Sequence, residues 1–198
     1  MTSPDGRYRA LLQSIVETAR AIFASAAASI FVLDERAREL VFEAVAGQGS
    51  DVLVGRRFPA STGIAGSVLL TRQPIVIDRL SDDPRFAREA AESTGYVPQS
   101  LMAVPLLVAD RPLGVLEVLD RSDRSRSPLE ELALLGLFAD QAAVALDLML
   151  RAGEDAASSE ERSLLAGVES ALEKLEGARR AAARNLLAAL RALLEPLG

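Results

Sequence analysis

The stretch STGIAGSVLLTRQPIVID, Ser61 to Asp78, decides the fold because it joins a short helix directly to a strand. It opens with two residues that commonly cap helices, Ser61 and Thr62. The apolar run that follows ends at Pro74, and the β-branched segment Ile75–Ile77 begins at once. The pattern therefore predicts a tight helix-to-strand unit.

The start of this helix has two interpretations. The first turn of any helix carries backbone N–H groups without intrahelical acceptors, so it can hold a small anionic or polar ligand. In the other interpretation, Ser61 or Thr62 only caps the helix, while Gly63 and Gly66 permit close packing. The sequence leaves both interpretations open.

The chain before this unit predicts a helix and a hairpin. Apolar residues at helical spacing indicate an amphipathic helix over Arg7–Ala26. Two β-rich runs, Ser29–Leu33 and Leu40–Val45, are separated by a turn-like segment and predict a hairpin. A short extended piece, Gly55–Pro59, leads into the unit.

The chain after the unit predicts a loop and a second hairpin. Residues Arg79–Pro98 are polar and turn-prone, and they predict a lid-like loop with a short helix that begins near Asp83 and Pro84. Two strong strand runs, Leu101–Val108 and Leu113–Leu119, then predict the second hairpin.

Two helices are predicted at the C-terminal end. Ser127, Pro128 and Glu130 match an N-cap, a first helical position and a capping-box acid, so we expect a helix to about Arg151 that Gly153 ends. A charged, alanine-rich segment then predicts a last helix, and its apolar residues fit a heptad seam: Leu165, Val168, Leu172, Leu175, Ala182, Leu186, Ala189 and Leu193. The seam favours a coiled coil or bundle, and a helix folded back on its own domain is the alternative.

Composition excludes several classes of protein. The 198 residues carry a net charge of −6, which argues against a nucleic-acid surface. The chain has no cysteine and no histidine, which excludes disulfides, thiolate nucleophiles and a Ser–His–Asp triad within it. Neither an uninterrupted apolar run of about 20 residues nor a signal-like N-terminus is present, so we expect a soluble cytoplasmic protein that binds no membrane.

Four motifs in order resemble landmarks of the GAF domain. They are Thr62–Gly66 (TGIAG), Gln73–Asp78 (QPIVID), Ser100–Leu106 (SLMAVPL) and Pro112–Leu116 (PLGVL). The resemblance covers roughly Tyr8 to Arg151 and implies an α+β fold of GAF/PAS type. In this fold an antiparallel sheet is backed by the terminal helices, and its other face carries a small-molecule pocket. It also implies dimerisation through those helices, and we expect residues 1–152 to form the domain and residues 153–198 a C-terminal helix.

The residues of this chain narrow the GAF subtype. Bilin-binding members use cysteine or histidine, haem-sensing members usually use histidine, and GAF-type methionine sulfoxide reductases use cysteine, so these groups do not fit. Cyclic-nucleotide-binding members carry an Asn-Lys pair after the last strand. This chain has Asp120 and Arg121 there, so the pattern is degraded.

We predict a ligand site from side chains around the expected pocket. The predicted ligand-binding residues are Phe58, Ile64, Ala65, Asp78, Phe86, Tyr96, Leu101 and Leu116. Phe42 is a further candidate for the floor, but the sequence does not fix which strand parity faces inward. For the apolar residues, ordinary core packing is the alternative. Asp78 has a second role open to it, because an Asp at a turn often bonds nearby backbone.

These observations predict a regulatory module that is not an enzyme and needs no cofactor or metal. It would bind an unidentified small molecule or a protein partner, form a homodimer through its terminal helices, and pass its state to a protein partner that supplies the output. The alternatives are a ligand-free scaffold for protein partners and a cyclic-nucleotide-binding GAF domain. We further expect Arg121, Arg124 and Arg126 to lie in a solvated loop, because Asp120 and Asp123 weaken their field.

Overall fold

The computed structural model describes residues 4–122 and 126–173, and contacts divide the chain into two units between Met149 and Leu150. The helices are α1 (Pro4–Ile22), α2 (Ser50–Leu53), α3 (Gly63–Thr71), α4 (Arg88–Ser93) and α5 (Pro128–Glu173), and a 3₁₀ turn spans Leu80–Asp82. The strands are β1 (Ser25–Asp34), β2 (Glu39–Gly47), β3 (Arg57–Pro59), β4 (Ile75–Ile77), β5 (Leu101–Val108) and β6 (Arg111–Arg121).

One antiparallel sheet of six strands organises the first unit, in the order β3-β2-β1-β6-β5-β4. Both predicted hairpins are present, β1 with β2 and β5 with β6, and the pairing of β1 with β6 joins them at the centre of the sheet. The helix-to-strand unit places β4 at one edge, paired with β5. The α+β architecture predicted from the sequence is confirmed.

The two faces of the sheet are both buried, and strand alternation separates them. One face carries an apolar cluster that includes Phe31, Leu101 and Val115 and packs with residues of α2, α3 and the loop after β4. Side chains of the opposite parity, such as Ile30 and Leu116, are also buried but lie outside that cluster. This second face is the one on which α1 packs against β1 and β2.

The amphipathic helix predicted over Arg7–Ala26 is present as α1, but it ends at Ile22, and some of its apolar residues are exposed. Leu12, Ala19 and Phe23 are almost fully buried, whereas Leu11 is 48% exposed and Ile22 is 38% exposed. The buried stripe is therefore narrower than the pattern indicates, and α1 keeps apolar side chains on its outer side.

Helix α5 begins as predicted and continues further than predicted. The side chain of Glu130 accepts hydrogen bonds from Ser127 N (2.8 Å) and Ser127 Oγ (2.8 Å), which confirms the capping box. The predicted stop at Gly153 is wrong, since the helix runs on to Glu173. A glycine inside a helix costs only about 1 kcal/mol relative to alanine, and strong helix formers flank this one. The side chains of the heptad seam lie outside the described residues.

By length and composition alone, the segment Pro128–Gly153 of α5 could also cross a bilayer. Core helices of globular domains satisfy the same criteria. Here the segment buries Leu135, Ala142 and Leu146 completely and also buries the charged residue Glu131. These contacts give the segment a role within the first unit.

The loop after β4 contains the predicted short helix, but the helix begins at Arg88 and not near Asp83. The carboxylate of Asp83 accepts hydrogen bonds from Arg85 N (2.9 Å) and from the Arg85 guanidinium (2.7 Å). Such local side-chain bonds give the backbone an alternative to helix, which delays the start of α4.

Candidate functional site

A cavity of about 140 Å³ lies between the cluster-bearing face of the sheet and the helices α3 and α4. Strands supply its floor, and the two helices with the segment after α4 supply its walls. The residues that line it are Ala27, Ser29, Phe31, Leu40, Phe42, Val45, Gln48, Leu53, Phe58, Thr62, Gly63, Ile64, Ala65, Phe86, Ala87, Ala90, Ala91, Thr94, Tyr96, Pro98, Leu101, Glu117 and Leu119. Most of these side chains are apolar, which suits a small organic ligand.

Six of the predicted ligand-binding residues come together at this cavity. They are Phe58, Ile64, Ala65, Phe86, Tyr96 and Leu101. Phe42, the further candidate for the floor, also lines it. Their contact with a ligand remains a prediction, but their common location agrees with the pocket expected on this face.

Leu116 and Asp78 do not line the cavity, and both need correction as site residues. Leu116 is fully buried, and its neighbours across the sheet, Ile30 and Val104, share its parity on the opposite face. Asp78 follows β4, and its Oδ1 accepts a hydrogen bond from Arg121 Nη2 (3.1 Å). Its bond to a side chain of β6 differs from both roles considered for it in the sequence.

The start of α3 forms one wall of the cavity through residues 62–65. Gly63 has a φ of +69°, which side chains with a Cβ rarely adopt, and a Cβ on Gly66 would lie 2.7 Å from the backbone carbon of Ser61. The close packing proposed for the two glycines is therefore confirmed for Gly66, whereas Gly63 is required by its positive φ and not by close packing. Thr62 occupies the N-cap position, but its side chain makes no capping hydrogen bond. Binding of an anionic or polar ligand at this helix start stays a prediction.

Among the described residues that line the cavity, Glu117 is the one with an acidic side chain, and the sequence interpretation missed it. It lies on the central strand β6, between Ser29 of β1 and Ala103 of β5 in register. The residue is only 7% exposed. Burial raises the pKa of its carboxyl group from 4.5 to about 8, because removal from water disfavours the ionised form.

Tyr96 connects the cavity wall to the end of β6. Its hydroxyl donates a short hydrogen bond to Asp120 Oδ2, while Asp120 Oδ1 accepts from the backbone N–H groups of Gln99 (2.8 Å) and Ser100 (2.7 Å). Burial, with the neighbouring Asp120 carboxylate, raises the pKa of Tyr96 to about 12. Tyr96 is therefore a neutral hydrogen-bond donor whose proton is already used.

The next residue, Arg121, forms a buried charge cluster. Arg121 Nε donates to Glu131 Oε2 (2.9 Å), and each of these two side chains is only 3% exposed. The bond of Arg121 Nη2 to Asp78 adds a second carboxylate, whose side chain is 52% exposed. The expectation that Arg121 lies in a solvated loop is wrong, because β6 extends to this residue and pairs with β1 there.

Together, Asp120 and Arg121 hold both ends of the loop that covers the cavity. Asp120 binds the Tyr96–Ser100 end, and Arg121 binds Asp78 at the other end and Glu131 in the first turn of α5. The end of β6 is thus physically connected to the loop and to the helix.

Groups that could hold a metal ion are absent from residues 4–122 and 126–173, where no set of three or more His, Cys, Asp or Glu side chains converges. The titratable groups at the cavity are Glu117 and Tyr96. This arrangement can bind and orient a polar group inside an apolar cavity.

The model of the GAF domain family matches residues 7–146 of this chain. The chain therefore belongs to the GAF domain family, whose members are signalling and regulatory modules. It is also similar to a probable 3′,5′-cyclic phosphodiesterase of Caenorhabditis elegans, with 25% identity over 123 residues, which is 58% of this chain. The match spans only 17% of that phosphodiesterase.

Solved GAF structures share the fold. The GAF domain of a phosphoenolpyruvate-protein phosphotransferase from Coxiella burnetii superposes with a TM-score of 0.67, at 21% identity, over 74% of this chain and 86% of that one. A fragment of a methyl-accepting chemotaxis protein gives a TM-score of 0.61 at 23% identity, over 72% and 90%. A type II free methionine-R-sulfoxide reductase from Thermoplasma acidophilum gives 0.60 at 16%, over 74% and 97%. The fold therefore occurs in a phosphotransferase, in a chemotaxis protein and in a reductase.

Proposed function

We propose that this GAF domain is a non-catalytic regulatory module that binds a small molecule in the cavity beneath α3 and α4. The observation that carries the proposal is the apolar cavity, at which six predicted site residues lie together. A ligand there contacts the sheet, α3 and the loop that Asp120 and Arg121 connect to α5. It changes the state of the protein to the extent that it binds one arrangement of these elements better than another.

The chemistry of the cavity supports a binding role over an enzymatic one. The chain has no cysteine, so sulfoxide reduction through a thiolate is not available to it. Glu117 is uncharged at neutral pH when the cavity is empty, and the hydroxyl proton of Tyr96 is held by Asp120. Ser29 and Glu117 lie side by side in the lining, but within the described residues no hydrogen bond joins their side chains and Glu117 is mainly protonated near pH 7, so the pair is not an activated nucleophile.

Cyclic-nucleotide binding, the activity suggested by the similarity to a phosphodiesterase, has less support. The cavity volume of about 140 Å³ is below the roughly 300 Å³ at which drug-sized sites begin. Asp120 and Arg121, which stand in place of the Asn-Lys pair, are both engaged in contacts within the domain. Cyclic AMP and cyclic GMP still belong in any ligand screen.

A metabolite screen by thermal shift tests the proposed function. We expect at least one small apolar or amphipathic compound to raise the melting temperature of the wild-type chain, because a ligand that binds only the folded state stabilises it by mass action. The Ala91→Phe variant, which places a ring in the cavity from α4, should abolish that shift.

The matched control for this screen is Glu89→Phe, which adds the same ring to an exposed position of α4. It should keep the ligand-induced shift. A complete screen without a hit, or a hit that survives Ala91→Phe unchanged, would argue for the ligand-free scaffold.

We also propose that the module is a homodimer and that the outer side of α5 forms the interface. Leu137, Val144 and Leu148 are 57–63% exposed, and their spacing places them on one side of the helix. Leu11 and Ile22 of α1 are also exposed. Exposed apolar side chains arranged in a stripe favour helix pairing between copies of the chain.

Sedimentation of the full chain tests dimerisation. We expect a dimer at micromolar concentration, and the double variant Leu137→Glu/Val144→Glu should sediment as a folded monomer because it places charges in the interface. The control is Leu70→Glu, which changes an 84% exposed residue of α3 and should leave the dimer intact. A monomeric wild-type chain would disprove the proposal.

A further inference from the structure

The cavity contains a single carboxyl group in an otherwise uncharged lining. Glu117 rises from the floor at the middle of the sheet, with Ser29 and Ala103 beside it on the neighbouring strands. The facing walls offer Ile64 and Ala65 from α3 and alanines from α4. The other titratable group in the lining is Tyr96, whose hydroxyl is bonded to Asp120.

Within residues 4–122 and 126–173, the carboxyl group of Glu117 has neither a hydrogen-bond donor nor a cation as partner. Buried carboxyl groups normally have such partners, because removing an ionised group from water costs much free energy. Burial raises the pKa of Glu117 to about 8, so the empty cavity holds this group mainly in its neutral form near pH 7. A buried acid without a partner in this position fits a site in which the ligand supplies the group that pairs with the acid.

Phenylalanine rings at the cavity can add to the attraction for positive charge, and the Phe58 ring already meets one cation, the Arg56 guanidinium, 5.8 Å from its centroid. Phe31 and Phe42 have centroids 4.2 Å apart, and Phe58 meets Phe42 edge to face at 5.8 Å. All three rings line the cavity that Glu117 enters. Aromatic faces bind organic cations, most strongly where water is excluded.

The size of the cavity suits a ligand with a single ring. An engineered cavity of about 150 Å³ in another protein holds one benzene molecule, and the cavity here has a volume of about 140 Å³. A monocyclic body therefore fills it, and a small charged group on that body can reach the acid.

We propose that the cavity binds a small organic cation, a protonated amine or amidine carried on one apolar ring, with the Glu117 carboxylate as its counter-ion. The proposal rests on the proposed small-molecule function and adds the chemical class of the ligand. Binding ionises Glu117, so the acid loses its proton to solvent as the cation enters.

Calorimetric titration of the full chain with three probes of nearly equal size tests this assignment: benzylamine, benzyl alcohol and benzoate. At pH 7 we expect benzylamine to bind about 10–100-fold more tightly than benzyl alcohol, because a bond between two charged groups replaces a neutral contact. Benzoate should not bind. Titrations in two buffers of different ionisation enthalpy should show release of about 0.9 proton per benzylamine, given a pKa near 8.

The same linkage predicts that benzylamine binds about tenfold more weakly at pH 6 than at pH 7, while benzyl alcohol is unaffected. Glu117→Gln should bind benzyl alcohol as before, lose the preference for benzylamine and release no proton. Glu117→Gln keeps the shape of the side chain, so the comparison isolates its charge.

Three results would contradict the proposed cation site. Equal affinity of the wild-type chain for amine and alcohol, a preference for amine that survives Glu117→Gln, or no binding of any probe would overturn the assignment of a cation. The proposed function would then stand or fall by the metabolite screen and the Ala91→Phe variant, which do not depend on ligand charge.

Discussion

Replacement of Arg121 by methionine is expected to lower the free energy of unfolding by about 3–5 kcal/mol. The substitution leaves the Glu131 carboxylate, 3% exposed, without the guanidinium that donates to it at 2.9 Å. It also releases Asp78 and thereby one end of the loop over the cavity. Denaturant unfolding of the wild-type and variant chains measures the loss.

Two further variants define the cause of this loss. Arg121→Met/Glu131→Leu should recover most of the stability, because removing both buried charges together leaves neither one unpaired. Arg111→Gln breaks an ion pair of similar length, 3.1 Å to Glu35, whose side chains are 52% and 54% exposed. It should cost less than about 1 kcal/mol. A loss that small for Arg121→Met itself would show that the buried cluster does not stabilise the fold.

Replacement of Glu117 by glutamine is expected to stabilise the domain by about 3 kcal/mol at pH 7 in the absence of ligand. The wild-type acid ionises freely in the unfolded chain, whereas in the folded chain its pKa is raised to about 8 by burial. The unfolded state therefore gains stability from ionisation that the folded state does not share. Glutamine has no such ionisation.

The pH dependence of this effect follows from the direction of the shift. Because the folded pKa lies above the unfolded value of about 4.5, the wild-type domain is most stable relative to the variant below pH 4.5. The two proteins should be about equally stable there, and the wild-type domain loses stability relative to the variant as the pH rises to about 8. Unfolding curves of both proteins from pH 4 to pH 8 should diverge steadily, whereas a constant difference would show that Glu117 ionises normally in the folded state.

Local sequence patterns predicted the fold well because they record local physics. Alternating and β-branched runs identified both hairpins, and Ser127 with Glu130 identified the start of α5 through a capping box that the structure contains. The patterns failed at two predicted helix boundaries. Gly153 does not end α5, and the side chain of Asp83 bonds Arg85 where the sequence predicted a helix start.

The site was predictable only in its apolar part. Phe58 and Tyr96 could be assigned to the pocket from their place in the order of elements, but Leu116 was assigned to the wrong face because the sequence does not fix which parity faces inward. The same uncertainty hid Glu117. A lone acid within the apolar run LGVLEVL is the signal that could have revealed it, once the register of β6 with β1 was known.

Strand β6 carries both the acid at the cavity and the arginine that holds α5. Glu117 and Arg121 are four positions apart, which corresponds to about 13 Å along an extended strand. The connection from Glu117 to Arg121, and through its ion pair with Glu131 to α5, is therefore a central strand paired on both sides, and the covering loop is not part of it. Mutations that loosen that loop should change how fast a ligand enters and leaves, while the response of α5 to a bound ligand should depend on β6.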